Sequence, residues 1–360
     1  MLAAGHGHQL YDVEVQRQYQ ARYSGRVGTL YIHPPFEALL YLAVAWLPLR
    51  TAYLLWFLLS LAFLAVAAHR LAREALLPWD WRLLLAASLT FVPVLLCLGQ
   101  GQDSLLLLLV VVFAFTTLRR DRNFAAGCWL GLGLFKFQIV LPLALVLVLS
   151  RSAGARREFA RGFGLVTLAF AVLSAAVAGG SVFTVYPKFL LHLQAQAYAG
   201  IFPQAMANFR GLIFFFFRRD QSLWAVAGVC LLSAASLIKT LIDWQRTRGA
   251  SPERLMETSG DDIDVAFANT IVFALLVSYH LNPHDLSLLL LAIAVLLHSN
   301  LAQKSGRRSA KWVALVLLAI LLLPPLHVWA LKADVYALVV LPLALLFLSA
   351  GFIHQNQREN

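Results

Sequence analysis

Long apolar stretches recur along the whole chain, and they constrain the fold more than any other feature of the sequence. Runs of eighteen or more apolar residues have the length that a helix needs to cross a bilayer. With 60% hydrophobic and 13% charged residues, the chain carries more apolar surface than a soluble domain can bury. The runs are continuous and do not alternate in period two, which excludes a closed β-barrel. We therefore predict an all-α, polytopic transmembrane bundle of about ten or eleven spans.

The charge of the chain predicts its orientation in the membrane and argues against a nucleic-acid partner. The formal net charge is +11, but the basic residues lie in short loops between apolar runs, as the positive-inside rule describes. Five such loops contain Arg70, Arg73 and Arg82; Arg119, Arg120 and Arg122; Arg151, Arg156, Arg157 and Arg161; Arg246, Arg248 and Arg254; and Lys304, Arg307, Arg308 and Lys311. A single threading makes all five cytoplasmic.

That threading predicts the domain organisation. Residues 1–50 form an outer segment, 51–353 the multi-span domain and 354–360 a cytoplasmic tail. Within the multi-span domain, 181–221 is a large outer loop and 244–264 a cytoplasmic loop. The unusual polar clusters all fall on the outer side, although only basic residues were used to orient the chain. We therefore expect the functional site on that face.

Three apolar segments are too short to be read as ordinary spans. Segment 36–49 follows two prolines and is predicted to be an interfacial or re-entrant helix. Segments 124–135 and 137–150 flank Lys136 and are predicted to form a hairpin whose tip carries Lys136 towards the outer side.

The outer segment and the first outer turn supply several candidate ligand-binding residues. His33 precedes Pro34 and Pro35, and these prolines fix an extended turn before a helix. We expect these prolines to form a helix-entry turn, and a further role of His33 in lining a pocket is as well supported as its absence. Tyr11 and Asp12 lie upstream in the same segment. The candidates in the following turn are Gln100 and Asp103, in the sequence Gly99-Gln100-Gly101-Gln102-Asp103.

The predicted outer face also contains two cations that suit a phosphate group. Lys136 lies between two phenylalanines and has no acidic residue nearby in the sequence. Arg210 follows Asn208 in the large outer loop, and a guanidinium matches phosphate geometry. Pairing of Arg210 with lipid headgroups is an equally good interpretation.

The stretch Ser278-Tyr279-His280-Leu281-Asn282-Pro283-His284-Asp285 concentrates ionisable groups between two apolar runs. Such groups are costly at membrane depth and are usually functional. His280, His284 and Asp285 have a spacing that a metal site could use, but Pro283 interrupts the helix between the two histidines. We therefore expect a hydrogen-bonded or sugar-binding network, with no metal and no cofactor.

Taken in order, these motifs resemble glycosyltransferase family 87, which contains polyprenol-phosphate-mannose-dependent mannosyltransferases of the GT-C fold. The matching stretches are Gly5–Asp12, His33-Pro34-Pro35-Phe36, Gly99-Gln100, Ala126-Gly127, Gly131-Leu132-Gly133, Lys136, Asn208-Phe209-Arg210-Gly211, Ser278-Tyr279-His280 and His284-Asp285. No single motif is specific, whereas the ordered set is.

The resemblance implies an inverting hexosyltransferase whose donor is a polyprenyl-phosphate sugar and whose acceptor is a lipid or glycan. Mannose is the sugar that we expect it to transfer. The resemblance further implies a carboxylate base and cations that stabilise the departing phosphate. Asp12, Asp103 and Asp285 are the candidate bases. Lys136 and Arg210 are the candidate phosphate ligands. We expect a multi-pass plasma-membrane protein whose site faces the periplasm or cell exterior and contacts membrane lipid.

The start of the chain departs from the family pattern. Members usually begin with a transmembrane helix followed by an acidic residue, whereas this sequence begins Met1-Leu2-Ala3-Ala4-Gly5. A truncated, non-catalytic family member is therefore one alternative. A transporter or flippase of lipid-linked sugars is another, although such proteins usually place paired ionisable residues on broken helices near the midplane.

Overall fold

The computed structural model describes residues 1–24, 28–74, 80–193, 202–217, 222–248, 252–302 and 308–355. Over these ranges the chain is helical and contains no strand, which confirms the predicted all-α class. The α-helices are α1 (Val13–Ser24), α2 (Leu49–Arg73), α3 (Trp81–Ser88), α4 (Val92–Gln100), α5 (Ser104–Arg119), α6 (Asn123–Leu132), α7 (Phe137–Ser150), α8 (Ala153–Ala178), α9 (Val182–His192), α10 (Phe209–Phe217), α11 (Leu223–Arg248), α12 (Pro252–Val277), α13 (Leu289–Ala302), α14 (Arg308–Leu322), α15 (Pro324–Lys332) and α16 (Val340–Gln355).

Several described helices are long and apolar enough to cross a membrane. By length and composition alone there are four such continuous runs: Leu49–Arg73, Ala153–Ala178, Leu223–Arg246 and Asn123–Ser150, the last of which comprises both α6 and α7. The pair α3 and α4, bent by 74° at its break, makes a fifth if it is counted as one span. Shorter apolar helices, such as α5, complete the bundle. This confirms a polytopic membrane protein, and several predicted spans are helices shorter than the roughly 20 residues of a full crossing.

The run from α6 to α7 is folded back on itself, because α6 and α8 pack in parallel. A Cβ on Gly127 would overlap the carbonyl oxygen of Phe159, and one on Gly131 would lie 2.9 Å from Cβ of Val166. Residue numbers therefore rise together along the two helices. Only residues 151–152 separate the end of α7 from the start of α8, so α7 must end near the start of α6. The chain therefore reverses direction between α6 and α7. The reversal lies at the 3₁₀ helix Gly133–Lys136, where the hairpin was predicted.

The buried centre of the bundle brings four chain segments together at one place. α5 packs against α2 and α6, and its interior face is almost fully buried. The 3₁₀ helix Pro283–Leu288 packs against both α4 and α5. The end of α4, the start of α5, the turn Gly133–Lys136 and the helix Pro283–Leu288 consequently converge.

The segments outside this centre differ in detail from the sequence-based expectations. The apolar segment 36–49 contains two short 3₁₀ helices, Pro35–Leu39 and Leu42–Val44. The segment 251–264, expected to be a solvated cytoplasmic loop, is helical from Pro252 and forms the first half of α12. The large loop 181–221 contains α9 and α10, and its residues 194–201 and 218–221, like the tail residues 356–360, lie outside the described part of the chain.

Candidate functional site

The convergence point is organised around a buried lysine. Lys136 lies at the end of the turn between α6 and α7, and its side chain is 1% exposed. Its Nζ lies 2.9 Å from Oδ1 of Asp103 and 3.0 Å from Oδ1 of Asp285. The sequence shows no acidic residue close to Lys136 along the chain, whereas the tertiary structure supplies two. An ammonium group at this depth requires such partners, because an unpaired buried charge is costly.

Asp285 is held rigidly by its own helix and by a neighbour. Asn282 caps the 3₁₀ helix Pro283–Leu288, and Pro283 occupies the first position, where no backbone N–H is needed. The backbone N–H of Asn282 donates to Oδ2 of Asp285 at 2.8 Å, and Ser104 Oγ donates to Oδ1 at 2.7 Å. Both oxygens of this carboxylate are therefore engaged, which fixes its position beside Lys136.

Asp103 is buried but less fully bonded. It precedes the first residue of α5 and is 2% exposed. Oδ1 faces Lys136, while Oδ2 has no hydrogen-bond partner among the described residues. Burial is the largest single influence and acts to raise the pKa of the Asp103 carboxyl, but the Lys136 ammonium and His33 together lower that pKa below its ordinary value. Asp103 is therefore a carboxylate at neutral pH.

Glu37 belongs to the same cluster and was missed by the sequence analysis. It is 1% exposed, and its Oε2 lies 2.8 Å from Nδ1 of His33, four residues earlier. The signal that could have found it is an acidic residue inside the apolar segment 36–49. Burial raises the pKa of Glu37 to about 7. Burial is the largest single influence on His33 and acts to lower its pKa, but the charge of Glu37, the contact with its carboxylate and the charge of Asp103 together raise that pKa above its ordinary value.

The structure brings His284 and Gln100 to the edge of the cluster. Gln100, the last residue of α4, lies with Oε1 2.9 Å from Nδ1 of His284. The other ring nitrogen, Nε2, lies 3.7 Å from Oδ1 of Asp285 and has no hydrogen-bond partner among the described residues. These contacts fit a polar network in which His284 orients towards the carboxylate.

His280 precedes this network in the loop after α12. The amide of Asn282 donates to its Nε2 at 3.2 Å. Nδ1 is buried and has no hydrogen-bond partner among the described residues. Burial lowers the pKa of His280 to about 4, so the ring is neutral at physiological pH.

Asn208 and Arg210 attach the large loop to the same stretch. Asn208 Nδ2 donates to the carbonyl of Ser278 at 2.7 Å, and its Oδ1 accepts from the N–H of Gly211 at 2.8 Å. Arg210 donates to the carbonyl of Tyr279 at 3.2 Å, and its guanidinium carbon lies 4.2 Å from the centre of the Tyr279 ring. Both predicted site residues therefore contact the loop that leads into Pro283–Leu288.

Tyr11 and Asp12 lie near His33, on the outside of the cluster. The Tyr11 hydroxyl donates to the carbonyl of His33 at 2.7 Å. Asp12 is exposed, and its Oδ1 accepts from the N–H groups of Glu14 and Val15 at the start of α1. Asp12 is thus a helix N-cap, connected to the cluster through its neighbour Tyr11.

Two apolar cavities lie along one side of α7 and α8. The first, of about 330 Å³, is lined by Pro34, Phe36 and Phe137 and by α8 residues from Thr167 to Ser174. Pro34 follows His33 in the chain, and Phe137 follows Lys136. The second, of about 700 Å³, is lined by α7 residues from Leu141 to Val148 and by α8 residues from Phe159 to Gly164. The lining positions recur every three or four residues, so one face of each helix lines both cavities.

Comparison with known proteins identifies the family. The chain matches the family model described as Glycosyltransferase family 87 over residues 31–259, which is more than half of the chain. No curated protein and no solved structure matches. The matched stretch contains His33, Glu37, Asp103, Lys136 and Arg210, whereas Tyr11, Asp12 and the segment 278–285 lie outside it. The extent of the match, together with the all-helical membrane bundle, shows that the chain belongs to glycosyltransferase family 87.

Proposed function

We propose that this chain is an inverting GT-C-type hexosyltransferase that moves a sugar, mannose foremost, from a polyprenyl-phosphate donor to a lipid or glycan acceptor. The observation that carries the proposal is the position of the apolar cavities. The smaller one is lined by Pro34 and Phe137, the chain neighbours of His33 and Lys136, so an apolar tail in this cavity would bring its charged headgroup close to those two residues.

The cavities fit a lipid-linked donor better than a soluble nucleotide sugar. The lining face of α8 extends from Ala160 to Ser174, about 20 Å at the rise of an α-helix. Its lining is apolar, which suits several isoprene units and would leave the phosphates of a nucleotide without ligands. A polyprenyl tail lying along α7 and α8 would place its phosphate at the end nearest to Lys136.

Lys136 is the proposed phosphate ligand. An ammonium group has three N–H donors, and the contacts with Asp103 and Asp285 account for two of them. The third can donate to a phosphate oxygen and stabilise the charge that develops as polyprenyl phosphate leaves. Arg210, held against Tyr279, is the proposed second cation. Gln100, His284, His280 and Asn208 are proposed to bind or orient sugar hydroxyls.

Asp12 is the proposed general base among the three candidate carboxylates. Asp103 and Asp285 share the Lys136 ammonium, and a carboxylate stabilised in its charged form by a cation is a weak base. Asp12 is not tied to Lys136 and lies beside Tyr11, at the His33 side of the cluster. In the proposed step the acceptor oxygen attacks the anomeric carbon, the bond from that carbon to the phosphate oxygen breaks, and Asp12 takes the hydroxyl proton.

The proposed site lies away from the cytoplasm. The larger cavity adjoins the first half of α8, near the basic loop at Arg151 and near Arg156 and Arg157 at the start of α8, whereas the smaller cavity adjoins the second half and the polar cluster. If the basic loop is cytoplasmic, the cluster lies towards the periplasmic or extracellular side of the plasma membrane.

The proposal is tested with the full-length protein in lipid nanodiscs. Polyprenyl-phosphate mannose and a nucleotide-linked mannose, each radiolabelled in the sugar, are supplied separately with a membrane-lipid extract as acceptor. We expect label to enter the acceptor from the polyprenyl donor alone, with release of polyprenyl phosphate. Movement of the intact donor across the bilayer without transfer would support a flippase instead, and transfer from the nucleotide donor would contradict the proposed donor class.

A further inference from the structure

Three potential metal ligands meet beside Lys136. One ligand atom each from His33, Glu37 and Asp103 lies within 4.8 Å of the others. Clusters of exposed acidic groups are common without an ion, but Glu37 and Asp103 are almost completely buried. These two carboxylates come from distant parts of the chain and are brought together by the fold, away from the solvent that would otherwise screen them.

The local charges do not balance. Glu37, Asp103 and Asp285 are three buried carboxylates, whereas the cations that contact them are two, the Lys136 ammonium and, when it is protonated, the His33 imidazolium. Asp285 also accepts hydrogen bonds from Ser104 and from the backbone N–H of Asn282, whereas Glu37 and Asp103 have one carboxylate oxygen each within 4.8 Å of the other. Two carboxylates at this separation repel unless a proton or a cation lies between them.

A second observation points to a cation as the missing component. Asp103 is only 2% exposed, and its Oδ2 is buried without a hydrogen-bond partner in the described part of the chain. A buried carboxylate oxygen without a donor is costly, since it has given up its water. It is the kind of atom that a metal ion satisfies.

We propose that His33, Glu37 and Asp103 bind one divalent first-row metal ion. One imidazole nitrogen and two carboxylate oxygens form a mixed nitrogen and oxygen ligand set, which suits Mn²⁺ and its neighbours better than a purely oxygen-binding ion. Binding replaces the 2.8 Å contact between His33 and Glu37 and releases the proton that these two side chains hold. The sequence analysis expected no metal, and it considered His280 and His284, which are not in this ligand set.

The ion would also remove an obstacle to the proposed function, on which this part of the inference rests. A donor phosphate placed at Lys136 would be repelled by the three carboxylates around it. A divalent ion held by two of them would offset that repulsion and offer the phosphate a second cationic contact. The ion binding itself is independent of the reaction and is measured without donor or acceptor.

The test is a titration of the full-length protein in detergent with Mn²⁺, followed by the electron paramagnetic resonance signal of the free ion. We expect one bound Mn²⁺ per chain. Glu37→Gln and Asp103→Asn should each weaken binding by at least about tenfold. The matched control is Glu158→Gln, because Glu158 is exposed, pairs with Arg161 and lies far along α8 from the cluster, and its affinity should be unchanged.

Either of two results overturns the proposal. One is the absence of Mn²⁺ binding by the wild type at millimolar ion, which would mean that protons balance the cluster. The other is wild-type affinity in both substituted proteins. Size-exclusion profiles and metal-free unfolding midpoints establish that each variant is folded, and His33→Gln serves in place of any variant that is not. Metal binding is measured without turnover. A protein that binds Mn²⁺ but shows no transfer in the separate activity assay would therefore reject the proposed transferase function and leave the metal site in place.

Discussion

Lys136 and Asp285 are 149 positions apart in the chain, yet Nζ of the lysine lies 3.0 Å from Oδ1 of the aspartate in the buried centre of the bundle. The pair joins the turn between α6 and α7 to the 3₁₀ helix Pro283–Leu288. It therefore fixes the relative position of two segments that carry predicted site residues.

Replacing Lys136 with methionine should destabilise the protein and abolish transfer. The substitution leaves Asp103 and Asp285 buried without their cation, which costs about 3–5 kcal/mol for a broken buried pair. The measurement is the free energy of unfolding in detergent, together with the transfer rate. The double variant Lys136→Met with Asp285→Asn should regain part of the stability and none of the activity. The exposed Lys332→Met is the control and should stay within about 0.5 kcal/mol of wild type; an equal loss there would refute the argument.

Asp12→Asn should lower transfer by about 10²–10⁴-fold, the usual contribution of a general base. Asparagine can still accept the N–H groups of Glu14 and Val15, so we expect the cap of α1 and the stability to be retained. Initial rates and donor binding are measured in parallel, with Glu14→Gln as control. Full activity of the Asp12 variant would exclude Asp12 as the base and return that role to the cluster around Lys136.

Filling the smaller apolar cavity should impair long-chain donors selectively. Ala171 lines this cavity on α8, and Ala171→Phe would displace part of a polyprenyl tail. Losing about two buried CH₂ groups, each worth about 0.8 kcal/mol, weakens binding roughly tenfold. The check is KM for a long-chain donor and for one with two isoprene units. Ala169→Phe, on the exposed side of the same helix, should change neither, and equal effects on both donors would exclude this site for the tail.

Glycine substitutions should separate tight helix packing from helix propensity. An added Cβ at Gly127 meets the backbone of Phe159 on α8, so Gly127→Ala should cost about 1–3 kcal/mol. Gly154 is exposed in the first turn of α8 and has open space, so Gly154→Ala should be neutral or stabilising by about 0.5–1 kcal/mol. Unfolding midpoints of both variants are compared, and a tolerant Gly127 would contradict the close contact of α6 with α8.

His280 should make the protein less stable in acid. Burial lowers its pKa from 6.5 to about 4, so between these values the unfolded chain binds a proton that the folded protein does not. Stability should therefore fall as the pH drops from about 6.5 to about 4. His280→Gln should show a smaller difference in unfolding midpoint between pH 7 and pH 4.5 than the wild type. The exposed His6→Gln should keep the wild-type difference, and an identical pH response of the His280 variant would remove His280 as a contributor.

Much of the architecture could be predicted from the sequence because it depends on local composition. Continuous apolar runs require helices in a membrane, since a lipid environment leaves backbone groups no other partners. The reversal at Lys136 was also predictable from the short apolar segments on each side. The helix over 252–264 could not be predicted in this way. The acidic composition of this segment indicated a solvated loop, whereas α12 runs through it.

The sequence alone determined that this is an all-helical membrane protein of glycosyltransferase family 87, and it singled out Lys136, Asp103 and Asp285 as unusual. Only the tertiary structure decided that these three form one ion-paired cluster and that Glu37 and His33 lie beside its Asp103. The physical reason is that hydropathy and spacing report how each segment meets the membrane, whereas the pairing of buried charges depends on which helix ends the packing brings together.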